Sequence, residues 1–218
     1  MARHHLIPGA VILGVAFILS ILISISVPYV RAFDLVRTSY GTPRTIGTSN
    51  DQATEFRWGI WGVCASLANS GGDWQCVSRG YGYDSSVGGQ DVGASWTRGT
   101  VIHPIAAAAI FIAWLLSFSE HLTVLLVASL VAFLGSLLTL IVFAIDIALF
   151  VRIKNQMGNI DGSTSPGPAF WMTLVVLILT AVAGCIVCFG RRRHKAKTEP
   201  YTIETKRPWY HKFRRNRV

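Results

Sequence analysis

Asp146 is the only acid inside a long apolar run of this 218-residue chain, in the stretch Ala144-Ile145-Asp146-Ile147-Ala148-Leu149-Phe150. Ionisable groups at membrane depth are rare, usually paired and often functional. His103, heading another apolar run just before Pro104, offers an imidazole whose reference titration near about pH 6.5 lies close to external pH. A His103–Asp146 pair would be a proton sensor, but register argues against it. Counted from the turn at Glu120 at about 1.5 Å per residue, Asp146 stands about 39 Å up its helix and His103 about 25 Å, leaving them about 13 Å apart along straight helices. Arg98, at about 33 Å on the same scale, is the better expected partner for Asp146, with Arg152 the other. Asp146 is then expected near the outer interface, orienting an outer domain. His103 is expected at the outer headgroup level, with Pro104 suited to a first helical turn because its missing N–H would be unpaired there anyway. The sharper reading, a pH-responsive histidine, stays open.

The four cysteines form two sets. Cys64 and Cys76 flank Asn69-Ser70-Gly71-Gly72-Asp73, a turn signal between β-capable runs at 44–47, 56–63 and 75–83. On an oxidising face such cysteines are expected to bridge; free thiols are the alternative. Cys185 and Cys188 are spaced C-x-x-C near the end of the last apolar run. A redox role shared by all four would suggest a four-helix thiol oxidoreductase, but the two sets lie about a bilayer apart. Palmitoylation of juxtamembrane cysteines and plain apolar packing remain. No Cys/His spacing resembles a metal site, so no metal or other cofactor is expected, and no Asn-x-Ser/Thr sequon occurs.

These groups must be carried by membrane helices. Hydrophobic residues make up 51% of the chain and charged ones 14%, against about 25% charged in soluble domains. Four runs, Leu6–Val30, Val101–Phe118, Leu122–Val151 and Ala169–Phe189, are long enough for a hydrocarbon core that takes about 17–25 helical residues. The first exceeds the apolar stretch of about 7–15 residues in a cleaved signal, so it reads as an uncleaved anchor. The net charge of +9 is not a nucleic-acid footprint: from Gly190 onward eleven Lys/Arg face two Glu, whereas 31–99 balances six Arg against six acids. Arg191, Arg192, Arg193, Lys195 and Lys197 abut the last run, so the positive-inside rule puts the C-terminus in the cytosol. Four crossings return residues 1–5 there too. Residues 119–121 form a cytosolic turn, with 31–100 and 152–168 outside. The basic tail, 190–218, is expected beside anionic inner-leaflet lipid, each basic group contributing about 1 kcal/mol, or else as a solvated topology signal. Gly9, Gly14, Ala106–Ala109, Ala128, Ala132, Gly135, Ser136 and Gly184 suit close helix packing, and self-association of the chain.

Trp58-Gly59-Ile60-Trp61-Gly62-Val63-Cys64 followed by Cys76 resembles the claudin-superfamily signature. That resemblance implies a left-handed four-helix bundle carrying a small extracellular β-sheet, with a tryptophan packed where sheet meets membrane. Arg98 also occupies a place where claudins carry an arginine. His103-Pro104-Ile105-Ala106-Ala107, the stretch 144–150, and Thr164-Ser165-Pro166-Gly167-Pro168-Ala169-Phe170-Trp171 are similar to the fungal PalI family and its eisosome-domain relatives, over residues 1–193. The resemblance implies a plasma-membrane protein, either assisting a seven-span sensor in ambient-pH signalling or organising eisosome-type membrane domains.

No nucleophile elbow, phosphate loop or carboxylate dyad occurs, so an enzyme is not expected. A channel or transporter would normally show several polar groups or broken helices in its bundle. The expectation is a membrane organiser working through lateral protein contacts.

Overall fold

The computed structural model describes residues 7–45, 51–68, 71, 73–78, 80–119 and 121–198. Its elements run α1 (Ile7–Ser24), β1 (Val36–Thr45), β2 (Gln52–Trp58), β3 (Gly62–Leu67), β4 (Trp74–Ser78), β5 (Ser85–Val87), β6 (Gln90–Val92), α2 (Ala94–Thr97), a 3-10 turn (Arg98–Val101), α3 (Ile102–Leu116), α4 (Leu122–Gly158), β7 (Gly162–Pro166) and α5 (Pro168–Thr198). By length and composition three helical segments, Ala94–Leu116, Thr123–Gly158 and Pro168–Ile186, could cross a membrane; Pro8–Ser24 is a shorter apolar helix. α1 packs on α3 and α5, and α4 packs on the same two, closing a ring of four helices. Large side chains such as Ile18, Leu130, Phe133, Leu134 and Ile178 face outward. In water that pattern would be a fault; against lipid tails it is the expected surface.

Small residues set the helix spacing at two places named from the sequence. A Cβ on Gly14 would press on the Trp114 indole, and one on Gly135 would meet Ile110. At Gly184 nothing lies within 4 Å, so close packing is not its role among the described residues.

Five strands form one sheet in the order β4-β3-β2-β1-β7, all antiparallel, and β5 and β6 form a separate hairpin. The expected run at 56–63 is broken by the turn at 59–61, and β1 begins eight residues ahead of the run expected at 44–47. The second loop, for which no strand was expected, adds β7 to the sheet edge, where Thr38 and Thr164 join hydroxyls at 2.9 Å. α4 runs seven residues past the expected Val151, so its last turns stand among the strands, and Tyr40 donates to Met157 Sδ at 2.8 Å.

Cys64 and Cys76 stand directly opposite each other on β3 and β4 and are bonded. The bridge closes a hairpin of sequence separation 12, which should stabilise the sheet domain by about 2–4 kcal/mol through the unfolded chain. Replacing both cysteines by alanine should lower the sheet domain's unfolding midpoint in a proteolysis-monitored melt. An unchanged midpoint would mean that the sheet holds itself.

Candidate functional site

Three groups of residues converge where the sheet meets the bundle. The first is the tryptophan corner. Trp58 is fully buried, stacks on Phe56 at 5.9 Å and donates from Nε1 to Ser85 Oγ at 3.2 Å. Trp61 donates its indole N–H to the Ser24 carbonyl at 2.7 Å, at the end of α1. Between them Gly59 is required by close approach, since a Cβ there would lie 2.5 Å from Val27 Cβ and 2.7 Å from the Val27 carbonyl. The Ile60 N–H donates to Ser26 Oγ. The corner thus ties the β2–β3 turn to the chain leaving α1.

The second group fastens α5. Asp34 is buried and paired with Arg37 at 3.0 Å, and the Gly167 and Ala169 amides donate to the Leu35 and Asp34 carbonyls. A Cβ on Gly167 would collide with the Asp34 backbone, so the Pro166-Gly167-Pro168 entry fits only a glycine at its centre. The hydrogen bond to Asp34 pushes the Arg37 pKa up.

The third is the pair that register counting had separated. His103 Nε2 and Asp146 Oδ1 lie 3.2 Å apart, with both side chains almost wholly buried. The expected partners for Asp146 are corrected accordingly. Arg98 is exposed and lies along Gly82, while the Arg152 guanidinium sits over the Trp96 ring at 5.5 Å. His103, at the start of α3, is buried inside the bundle.

Two features account for the correction. Gly135 abuts Ile110 and Gly99 abuts Ile145, so the α3–α4 hairpin is centred at residues 122–123 rather than at Glu120. That leaves an offset of about 6 Å at 1.5 Å per residue. Helical side chains lean toward the N-terminus of their own helix. In an antiparallel pair His103 and Asp146 therefore lean toward each other and close the remainder.

His103 borders a small chamber of about 10 Å³ reached by all four helices, with Ser20, Thr139 and Thr173 also among its lining. The volume is close to the least that holds one water. Ser20, Thr139 and Thr173 donate to the carbonyls of Ala16, Gly135 and Ala169, each four residues back. Their donors are thereby occupied within their own helices, leaving lone pairs toward the interior. Sequence reading missed these hydroxyls, since isolated Ser and Thr in an apolar run carry no pattern. Asp146 Oδ2 is buried without a hydrogen-bond partner.

One turn above His103, a chain of bonds runs to the tryptophan corner. Thr100 Oγ1 donates to the Thr97 carbonyl at 2.7 Å and lies 3.4 Å from the Ile60 carbonyl. Thr97 Oγ1 donates to the Tyr83 carbonyl, and Tyr83 OH to the Gly59 carbonyl at 2.8 Å.

Burial pushes the Tyr83 phenol up, and pushes the Tyr40 phenol up to about 12, partly offset by Arg44. A raised phenol favours the protonated folded form. Its contribution is complete below about pH 10 and is lost as pH rises from there to about 12. The sheet domain should therefore unfold more readily above about pH 10, as followed by tyrosinate absorbance and proteolysis; stability flat to about pH 12 would contradict this.

Cys185 is exposed and unbridged. The side chains of Cys188, Arg191, Arg192, Arg193, Lys195 and Lys197, and the tail from residue 199, lie outside the described residues. Among the described residues no group of three or more His, Cys, Asp or Glu is placed to hold a metal.

The three stretches with family resemblance all fall on this junction. His103-Pro104 and 144–150 supply the buried pair, and 164–171 supplies the sheet edge and the α5 entry. No match was found among curated proteins. The family model described as the SUR7/PalI family matches residues 5–183, a span that takes in the stapled sheet, the buried pair and most of the helix bundle. The chain belongs to the SUR7/PalI family, a claudin-like family of non-catalytic membrane proteins.

Proposed function

We propose that this chain is a non-enzymatic, four-span plasma-membrane protein with both termini in the cytosol. In this reading it acts as an accessory subunit in ambient-pH sensing through lateral contacts with an integral membrane partner such as a seven-span sensor. The observation that carries the pH reading is the buried His103–Asp146 contact. It places an imidazole and a carboxylate together inside the bundle, one turn beneath the bonds that fasten the outer domain, so a change of protonation there acts on the part of the molecule a partner meets. The basic tail and the juxtamembrane cysteines Cys185 and Cys188 serve this role as an anionic-lipid contact and as acylation sites.

A second reading, organiser of eisosome-type membrane domains and of the cortex, is favoured by the broad outward apolar faces of α3 and α4, which include Ile112, Leu115, Leu130, Phe133 and Leu137. Such faces suit lateral assembly, including self-association. Proximity labelling from the tail in living cells separates the two. Recovery of a seven-span sensor with its arrestin-like partner supports the first reading; recovery of eisosome scaffolds without the sensor overturns it in favour of the second.

A further inference from the structure

We propose that His103 and Asp146 form a binding site for a single proton taken from the outer aqueous phase, and that its occupancy is read out at the tryptophan corner through Thr100, Thr97 and Tyr83. The proposal rests on the pH reading above and specifies its ligand and its transmission.

The chemistry is a simple addition. An empty pair is a neutral imidazole beside a carboxylate, with a net charge of minus one in a bundle core. One proton converts it either to imidazolium–carboxylate or to imidazole–carboxylic acid, and either form is neutral overall. No redox step or leaving group is involved.

The surroundings make this charge hard to compensate by other means. From α1 the chamber beside His103 receives Ser20 and Ile23, and from α5 Thr173 and Val176. None of these ionises. On the 3-10 turn Arg98 is exposed and lies along Gly82, and on α4 Arg152 is engaged with Trp96. Asp146 Oδ2 has no partner, so an empty pair leaves half a carboxylate bare at low dielectric, which is strongly unfavourable. Loading the proton removes the net charge and strengthens the existing 3.2 Å contact by charge assistance, or by giving the carboxyl a hydrogen of its own.

Transmission follows from the order of residues at the mouth of α3. His103 lies three residues beyond Thr100, on the same helical face. Thr100 is buried against the Ile60 carbonyl, and Thr97 holds Tyr83, which holds Gly59. Gly59 has no slack, because a Cβ there would already collide with Val27. A shift of the first turn of α3 on emptying the pair therefore passes to residues 59–61 rather than being absorbed. The 3-10 turn leading into α3 is held from the other side by Gly99 against Ile145, next to Asp146. Both members of the pair thus act on one short segment.

The test uses the purified full chain in lipid nanodiscs. Hydrogen exchange is measured between about pH 5 and pH 8, a range spanning ordinary imidazole titration, with intrinsic rates corrected. Segments 59–63 and 97–103 should lose protection as pH rises, with a limiting slope of about tenfold per pH unit for one linked proton. In His103→Gln/Asp146→Asn, a neutral pair that can hydrogen-bond but not take up a proton in this range, the slope should vanish in both segments. In Thr100→Val it should persist at 97–103 and vanish at 59–63. Should the double variant fail to fold, nitrogen NMR of the His103 ring together with carbon NMR of the Asp146 carboxyl in the unaltered chain reads occupancy directly, and one of the two groups should change its protonation state over the same range. A slope of zero in the unaltered chain, a slope retained in the double variant, or a pair in which neither the ring nor the carboxyl changes state would each overturn the proposal. Absence of the slope with the sensor still recovered in cells sinks the proton site and leaves the functional reading. A clear slope with only eisosome scaffolds recovered does the reverse.

Discussion

His103→Ala should destabilise the bundle by about 3–5 kcal/mol, because it leaves Asp146 as a buried carboxylate without its partner. Oδ2 already lacks a partner, and the substitution removes the one contact that Oδ1 has. His103→Leu/Asp146→Leu should cost far less, and replacing such a pair with apolar residues is often neutral or stabilising. The effects are thus strongly non-additive, and a double-mutant cycle on thermal unfolding in nanodiscs measures the difference. Additive costs would mean that the two side chains do not meet. A bundle that grows more stable without the pair would also explain the pair as a functional feature, since stability alone would not retain it.

Trp58→Ala should cost the outer domain about 3–5 kcal/mol, the usual range for emptying a fully buried aromatic site. The indole joins Phe56 and, through Phe56, the edge-on Tyr40 ring, whose hydroxyl reaches Met157 on α4. Loss of Trp58 therefore loosens the sheet from the top of α4 as well as opening a cavity. Trp58→Phe keeps the stack and loses only the bond to Ser85, at about 1 kcal/mol. The two variants are compared by limited proteolysis of the outer loop under non-reducing conditions. Trp58→Ala should be cut at temperatures where Trp58→Phe and the parent resist, and equal resistance of all three would show that the residue is peripheral. This cost stands against total stabilities of about 5–15 kcal/mol for ordinary domains, so Trp58→Ala should also lower the amount of folded chain in cells.

The helices were legible because four apolar runs dominate the chain, and the disulfide because a turn-rich spacer separates two cysteines. The strand at Gly162–Pro166 was not legible: Gly-Ser-Thr-Ser-Pro has no apolar alternation, and it pairs only because α4 overshoots the expected end and delivers it beside β1. The site was half legible. Asp146 and His103 each stood out by residue type, but their pairing depended on where the α3–α4 hairpin turns. A shift of two or three residues in that centre moves opposed helices past each other by about twice that many rises. Side-chain lean then decides the rest, and counting along axes omits it. Arg98 was chosen for its height alone. The Ser and Thr hydroxyls around the chamber give no sequence signal because each bonds backward along its own helix.

The account depends on the sheet and the tail lying on opposite sides of the membrane, which single-cysteine labelling in intact cells measures. In a background with Cys185 and Cys188 replaced by serine, a membrane-impermeant maleimide should label Ser163→Cys on the exposed edge of β7 without permeabilisation. Lys197→Cys should be labelled only after permeabilisation. Labelling of Lys197→Cys in intact cells, or protection of Ser163→Cys until the membrane is opened, would contradict the arrangement and the outer origin of the proton with it.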